Sequence, residues 1–174
     1  MDLALLVLRL VVGLTFAAHG AQKLFGAFGG HGIDGSAGFF EQIGLRPGKL
    51  HAWTAAITEF GGGLAIALGI VTPVPAAALI AVMTAAVITV HLKNGFFAAN
   101  QGYEFNLALA AAVFALAGIG AGGWSLDAAL NISMTGTDWA LGALGAGLLG
   151  GIGAVLGGRM ASRERREHRR ARPA

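Results

Sequence analysis

The chain alternates between long apolar runs and short polar connections. An apolar helix of about 20 residues is long enough to cross a bilayer. Five apolar runs approach or reach that length and predict membrane-spanning helices over 3–25, 52–71, 75–92, 104–121 and 138–157. The sequence therefore predicts an all-α, polytopic bundle of transmembrane helices.

The connection between the first two runs predicts an additional short helix. Ser36 and Gly44 are typical start and stop residues of a helix, and Phe39, Phe40 and Ile43 between them share one face. Such a helix lies on a membrane surface with its apolar face in the lipid. An ordered loop without lipid contact is the alternative interpretation.

Composition agrees with a membrane protein and restricts its chemistry. Hydrophobic residues make up 55% of the chain and charged residues only 12%, whereas about 25% is usual in soluble domains. The chain has no Cys, which excludes disulfides, thiolate metal sites and thiol exchange by its own residues. Any redox role would therefore depend on a cofactor, a quinone or a partner.

The distribution of basic residues predicts the orientation. Lys23, Arg46 and Lys49 lie in the first connection, Lys93 lies in the third, and seven arginines follow residue 158. With five spans all of them fall on one side, which the positive-inside rule makes cytoplasmic. With four spans the tail and the lysine-bearing connections would face opposite sides. We therefore expect a multi-pass protein of the bacterial cytoplasmic membrane, with its N-terminus outside and its C-terminus in the cytoplasm.

The basic tail is a candidate lipid-binding segment. Each Lys or Arg near an anionic leaflet contributes about 1 kcal/mol. The arginines expected to contact lipid are Arg163, Arg165, Arg166, Arg169 and Arg170. A role in fixing topology alone is the alternative, and no nucleic-acid binding is expected from an arginine run at a membrane.

The fifth run is rich in small residues. Ala143, Gly147 and Gly151 recur every four residues, a spacing that lets helices approach closely. They could form a docking face for a partner or for a second copy in a homo-oligomer. Packing within the same bundle is the favoured interpretation.

Ionisable residues within or beside the apolar runs are the candidate functional residues. A charge at the centre of a span costs at least about 2.5–3.5 kcal/mol, so each needs a reason. The candidates are Arg9, His19, Lys23, Glu59, His91 and Glu104. At about 100° per residue, the three on the first helix share one side with Gly13 and Gly20, so that side should face other helices.

The orientation predicts that five of the six lie in the cytoplasmic half. Arg9 is the exception, about 20 Å from that face at 1.5 Å per residue, and it either reaches toward Glu59 or snorkels outward. Glu59 needs a partner from another helix, namely Arg9, His19 or Lys23. A structural ion pair explains Glu59 as well as a catalytic role does. Lys23, His91 and Glu104 are also explained by positions at helix ends.

A quinone is the candidate ligand of such a pocket. Histidine, lysine and arginine side chains donate hydrogen bonds to quinone oxygens, and Phe96, Phe97 and Tyr103 are candidates to cover its ring. His19 and His91 come from different helices at similar depth, as a bis-histidine haem would require. The chain nevertheless has no Glu-x-x-His pair of the kind used by di-iron bundles, and no metal is expected.

Three segments resemble the DoxX family of bacterial membrane proteins. They are "RLVVGLTFAAHGAQKLFG", "ITEFGGGLAIALGIVTP" and "HLKNGFFAANQGYEFNLAL", and the resemblance extends from about residue 5 to 127. It implies a four-helix membrane bundle and a redox-linked subunit, since the family is named for subunits associated with thiosulfate:quinone oxidoreduction. The positions that match the family are Arg9, His19, Lys23, Glu59 and Glu104.

The resulting expectation has three parts. Residues 1–127 form a DoxX-like four-helix membrane domain, 128–158 an additional Gly-rich transmembrane helix, and 159–174 a basic cytoplasmic tail. The chain is expected to be an oxidoreductase subunit rather than a complete enzyme. It would bind a quinone-like ligand or dock an oxidoreductase at the cytoplasmic face. A non-catalytic scaffold for a soluble partner is the alternative. A small-solute transporter is less favoured, since no inverted repeat or broken helix is visible.

Overall fold

The fold is a bundle of long helices joined by short turns. The computed structural model describes the backbone of residues 1–170 and the side chains of residues 1–164. Within the described backbone it contains seven α-helices and no strand. In chain order they are α1 (Asp2–Phe25), α2 (Gly32–Gln42), α3 (Gly48–Leu68), α4 (Pro73–Ala86), α5 (Glu104–Ile119), α6 (Leu126–Ala129) and α7 (Thr137–Arg170).

Each of the five predicted spans coincides with one of the long helices, which confirms the all-α bundle. By length and composition, three helical stretches are sufficient to cross a membrane: Asp2–Phe25, Pro73–Asn94 and Thr137–Glu164. The helices α3 and α5 pack among them. The helix α2 begins at Gly32, four residues before the predicted start, and the Phe39, Phe40 and Ile43 face that was expected to contact lipid lines a cavity of the bundle. The last helix is longer than predicted, because its backbone continues through Arg170 rather than ending near residue 157.

Local sequence signals explain where the helices begin and end. Both α1 and α3 end at a glycine in the left-handed conformation, Gly26 with φ 69° and Gly69 with φ 67°, as is common at helix C-termini. The helix α4 starts with Pro73, which lacks only an N–H that the first turn would leave unpaired. The Asp127 carboxylate accepts hydrogen bonds from the Val71 N–H at 2.7 Å and the Thr72 N–H at 3.3 Å. The Asp127 side chain of α6 therefore accepts hydrogen bonds from the backbone N–H groups at the start of α4.

The helices α1 and α3 pack backbone against backbone. A Cβ at Gly13 would overlap the backbone of Gly63 and Ala67, and one at Gly20 would overlap that of Phe60. This confirms that the polar and glycine-bearing side of α1 faces a neighbouring helix. The pairing also shows that α1 and α3 run in opposite directions. Close approach of this kind is typical of small residues in membrane bundles.

The small residues of α7 pack against other helices of the same bundle. Gly147 lies against Ile80, and Gly151 lies against Thr84 and the Ala81 carbonyl, all on α4. Ala143 belongs to the buried core cluster. The interpretation as packing within the bundle is therefore confirmed for these positions. The largest fully buried apolar side chains of the described residues are Phe16, Ile66, Leu79, Ile80, Val113 and Leu116.

The bundle has two ends of different character. We name them after Lys23, near the C-terminal end of α1, and Trp124, in the segment after α5. At the Lys23 end the Arg46 N–H donates to the Gly158 carbonyl of α7 at 3.1 Å. The C-terminal part of α7 thus shares an end with the lysine-bearing connections, as the charge pattern predicts for five spans. Which end faces the cytoplasm stays a prediction.

Candidate functional site

Arg9 lies apart from the other candidate residues. Its side chain extends toward the Trp124 end, where its Nη2 donates to the Trp124 carbonyl oxygen at 2.5 Å. The residue is only 1% exposed, and neither Nε nor Nη1 has a hydrogen-bond partner among the described residues. Asp127 is close enough to interact with it electrostatically. The side chain is thus directed away from Glu59, but it stays buried and does not snorkel to the surface, so neither of the two expectations describes it fully.

Glu59 is paired with Lys23. The Lys23 Nζ lies 2.5 Å from the Glu59 Oε2, and their side chains are 26% and 5% exposed. The same ammonium group donates to the His19 carbonyl at 3.4 Å. Of the three partners considered from the sequence, Lys23 is the one that α1 brings to α3. A buried pair of this kind is costly to break, because removing one member leaves an uncompensated charge.

Two histidines at this end, His19 and His91, are fixed by hydrogen bonds. The Nδ1 of His19 lies 3.2 Å from the Gln22 Oε1, and its ring meets the edge of Phe105 with centroids 6.2 Å apart. The Nδ1 of His91 lies 2.7 Å from the Gln101 carbonyl oxygen. His91 ends a π-helical turn, Val87–His91, that continues α4. Such turns occur often at functional sites.

A cavity of about 730 Å³ occupies the Lys23 end of the bundle. That size is typical of small-molecule sites. Its wall is predominantly apolar and includes residues of α1, α2, α3, α4, α5 and α7. The polar and ionisable side chains that line it are those of His19, Lys23, His51, Thr54, Thr58, Glu59, Thr89, His91, Gln101 and Asn106.

Asn106 and His51 are wall residues that the sequence reading missed. Asn106 is buried, at 7% exposed, and its only side-chain hydrogen bond to a described residue runs from Nδ2 to the Met83 sulfur at 3.5 Å. An Asn two residues into an apolar helix was a usable signal, because an amide inside a membrane bundle requires a partner. His51 lies in the first turn of α3, directly before the predicted span 52–71, and was not among the candidate residues.

The predicted aromatic cover lies elsewhere. Phe96, Phe97 and Tyr103 pack on one another, with Phe96 centred 5.3 Å from Phe97 and 5.6 Å from Tyr103. None of the three lines the cavity. The aromatic residues that do so are Phe39 and Phe40 of α2 and Phe105 of α5.

Glu104 holds the loop before α5. Its Oε2 accepts a hydrogen bond from the Ala98 N–H at 2.9 Å, because a first-turn residue can reach back over the preceding segment. It does not line the cavity. Four of the six candidates, His19, Lys23, Glu59 and His91, thus meet at one cavity, while Arg9 and Glu104 have other contacts.

The described residues contain no group of three His, Asp or Glu side chains that could share a metal ion. Of the arginines expected to bind lipid, Arg163 is exposed. The others, Arg165, Arg166, Arg169 and Arg170, lie outside the residues whose side chains are described.

These features define the class of the protein. It is an all-α membrane bundle with an apolar, half-enclosed cavity and a buried ion pair at one end. Within that class the chain belongs to the DoxX family, whose sequence model, described as DoxX, matches residues 4–92. The matched region contains His19, Lys23, Glu59 and His91, whereas α5 and α7 lie beyond it.

Two curated proteins are similar over most of their length. The Bacillus subtilis protein named "Putative oxidoreductase CatD" is 30% identical over 117 residues, covering 67% of this chain and 81% of that protein. The Mycobacterium tuberculosis protein named "Uncharacterized membrane protein Rv3486" is 27% identical over 138 residues, covering 74% and 82%. No solved structure matches the chain.

Proposed function

We propose that this protein is a redox-linked component of the bacterial cytoplasmic membrane that binds a quinone-like ligand in the cavity at its Lys23 end. The observation that supports the proposal is the combination of a large apolar cavity with the buried Lys23–Glu59 pair in its wall. The oxidoreductase name of the Bacillus subtilis relative agrees with a redox role. The positive-inside rule would place the cavity in the cytoplasmic leaflet.

The chemistry of the wall fits a flat, lipophilic molecule with oxygen atoms at its rim. Apolar side chains from six helices would cover the ring, as in most small-molecule sites. Lys23 has three N–H groups, and two of them are directed to Glu59 and to the His19 carbonyl. The third is available to an oxygen of the ligand. The cavity is only partly enclosed, so a ligand can enter from its open side.

The proposal is tested by measuring quinone binding to the purified protein. Protein in lipid nanodiscs is titrated with decylubiquinone, and lipid extracts of the purified protein are examined for quinones that copurify. We expect saturable binding. We expect Glu59→Gln to weaken it about tenfold, because the charge-assisted bond that positions Lys23 is lost. Asp34→Asn is the matched control, since it makes the same change in the exposed pair with Lys49.

Absence of both copurified quinone and saturable binding would refute the proposal. Equal weakening by Glu59→Gln and Asp34→Asn would show that the buried pair has no part in binding.

The alternative, a scaffold for a soluble partner, was based on two features: the small residues of the fifth run and the basic tail. Gly147 and Gly151 contact α4 within the bundle, so they are not a free docking face. The basic tail remains as its basis. If the protein recruits a soluble partner through that tail, deletion of 159–174 should release the partner while Glu59→Gln leaves it bound.

A further inference from the structure

We infer that the cavity binds the reduced, hydroxyl-bearing form of its ligand, an aromatic diol of the quinol type, more tightly than the oxidised quinone. This inference rests on the proposed function, because it requires that the cavity hold a quinone-like molecule. It depends on which ring nitrogen carries the proton in two of the three wall histidines, His19 and His91.

The hydrogen bonds of Gln22 determine the tautomer of His19. The Gln22 Nε2 donates to the Phe28 carbonyl oxygen at 3.2 Å, which directs its Oε1 at the His19 Nδ1. Turning the amide over would place two acceptors, Oε1 and the Phe28 carbonyl oxygen, against each other. Since Oε1 can only accept, the His19 Nδ1 must donate. In a neutral imidazole the other nitrogen, Nε2, is then an acceptor.

His91 is held in the same tautomer by a different partner. Its Nδ1 faces the carbonyl oxygen of Gln101 at 2.7 Å, and a carbonyl oxygen can only accept. The His91 Nε2 is therefore also an acceptor in the neutral ring. Neither Nε2 has a hydrogen-bond partner among the described residues, and both histidines line the cavity.

The other polar side chains of the wall do not cancel the effect of the two acceptor nitrogens of His19 and His91. Glu59 is a carboxylate and adds acceptor oxygens. The amide oxygen of Asn106 has no partner among the described residues, since its one side-chain bond uses Nδ2. The wall also contains donors, namely the free N–H of Lys23 and the amide N–H groups of Asn106 and Gln101. These donors serve both forms of the ligand, because a carbonyl and a hydroxyl oxygen each accept. The acceptors of the wall, in contrast, can bond only to the hydroxyl-bearing form.

A quinone and its quinol differ in what they offer to such a wall. The quinone oxygens only accept, whereas each quinol hydroxyl also donates one hydrogen bond. Against an imidazole acceptor the quinone leaves Nε2 unpaired beside its own carbonyl, and an unpaired polar group in a dry site is unfavourable. The quinol makes a bond there instead.

The test compares three probes on the wild-type protein in nanodiscs, at about pH 8, where histidine is ordinarily neutral. The probes are decylubiquinol under argon, decylubiquinone, and the dimethyl ether of decylubiquinol, which keeps the ring oxygens but lacks the hydroxyl hydrogens. We expect the quinol to bind about tenfold more tightly than the other two. Since tenfold corresponds to about 30 mV for a two-electron couple, the bound quinone should show a midpoint potential higher by that amount.

Variants assign the preference to the histidines. His19→Phe and His91→Phe should each reduce the preference for the quinol, and together they should remove most of it. His19→Gln should retain part of it, since its amide oxygen can still accept. His31→Phe is the control, because His31 is exposed and does not line the cavity.

The outcomes separate this inference from the proposed function. Equal affinity of the wild-type protein for quinol, quinone and dimethyl ether would overturn the inference and leave quinone binding intact. A quinol preference that the double His→Phe change leaves at its wild-type size would also overturn it. Failure of all three probes to bind would refute the proposed function itself.

Discussion

The pairing of Lys23 with Glu59 makes a sharp prediction about stability. In Lys23→Met the methionine fills much of the same space but removes the cation, so that Glu59, whose side chain is 5% exposed, has no charged partner among the described residues. Breaking a buried pair from one side costs about 3–5 kcal/mol. Because the Lys23 side chain is 26% exposed, we expect the low end, about 3 kcal/mol.

The second half of the prediction concerns the double variant. Lys23→Met combined with Glu59→Met replaces both charges by apolar side chains, and such replacements are often neutral or stabilising by about 1–4 kcal/mol. The double variant should therefore be more stable than Lys23→Met alone. The Lys49–Asp34 pair provides the comparison, since its side chains are 71% and 86% exposed. Lys49→Met should cost no more than about 1 kcal/mol.

The assay is reversible unfolding in mixed micelles, followed by helical circular dichroism as the fraction of denaturing detergent is raised. All four proteins are measured in the same lipid and detergent. If Lys23→Met lowers the free energy of unfolding no more than Lys49→Met does, the bundle does not shelter the Lys23–Glu59 pair from solvent, and the prediction is refuted. If the double variant is as unstable as Lys23→Met, the loss does not arise from a stranded carboxylate.

Three further predictions concern packing and the cavity. Gly150→Leu should block binding of decylubiquinone in the titration described above without unfolding the protein, because a Cβ there has ordinary contact with α4 and the residue lines the cavity. Gly153→Leu, on an open face of the same helix, should bind as wild type, and equal binding by both variants would contradict the assignment. Gly20→Leu should abolish folded yield in size-exclusion chromatography, because its Cβ would overlap the Phe60 backbone; a monodisperse peak at wild-type yield would contradict the α1–α3 packing. Asp127→Ala should lower stability by about 1–2 kcal/mol in the micelle unfolding assay, since it removes the cap of α4; an unchanged transition would show that the cap contributes nothing.

The sequence was sufficient for the helices and for part of the cavity wall. A run of apolar residues about as long as the bilayer is thick predicts a helix, and each of the long helices corresponds to such a run. The helical period places His19 and Lys23 on one side of α1, and the glycines beside them predict a close neighbour. The need of Glu59 for a partner follows from the cost of a lone buried charge, and Lys23 was among the partners named.

Tertiary contacts decided the rest. A helical period gives the face of Arg9 but not the direction in which a long side chain extends, and the Trp124 carbonyl settled that direction. Phe96, Phe97 and Tyr103 are close to Glu104 in sequence, yet their rings pack on one another, and other residues of the loop, Ala98, Gln101 and Gly102, line the cavity. Its aromatic cover comes partly from α2, whose position depends on contacts with α3 that no local pattern encodes.

The bond between the Arg46 N–H and the Gly158 carbonyl has a consequence for biosynthesis. It joins the turn before α3 to a helix that leaves the ribosome more than a hundred residues later. Throughout most of translation that turn has no such partner, and the cavity lacks the wall formed by Gly150, Gly151 and Ala154. The part of the cavity wall that α7 contributes therefore forms only after this helix has been made. A truncated product that ends before α7 would lack this part of the wall and the bond that joins α7 to the turn before α3.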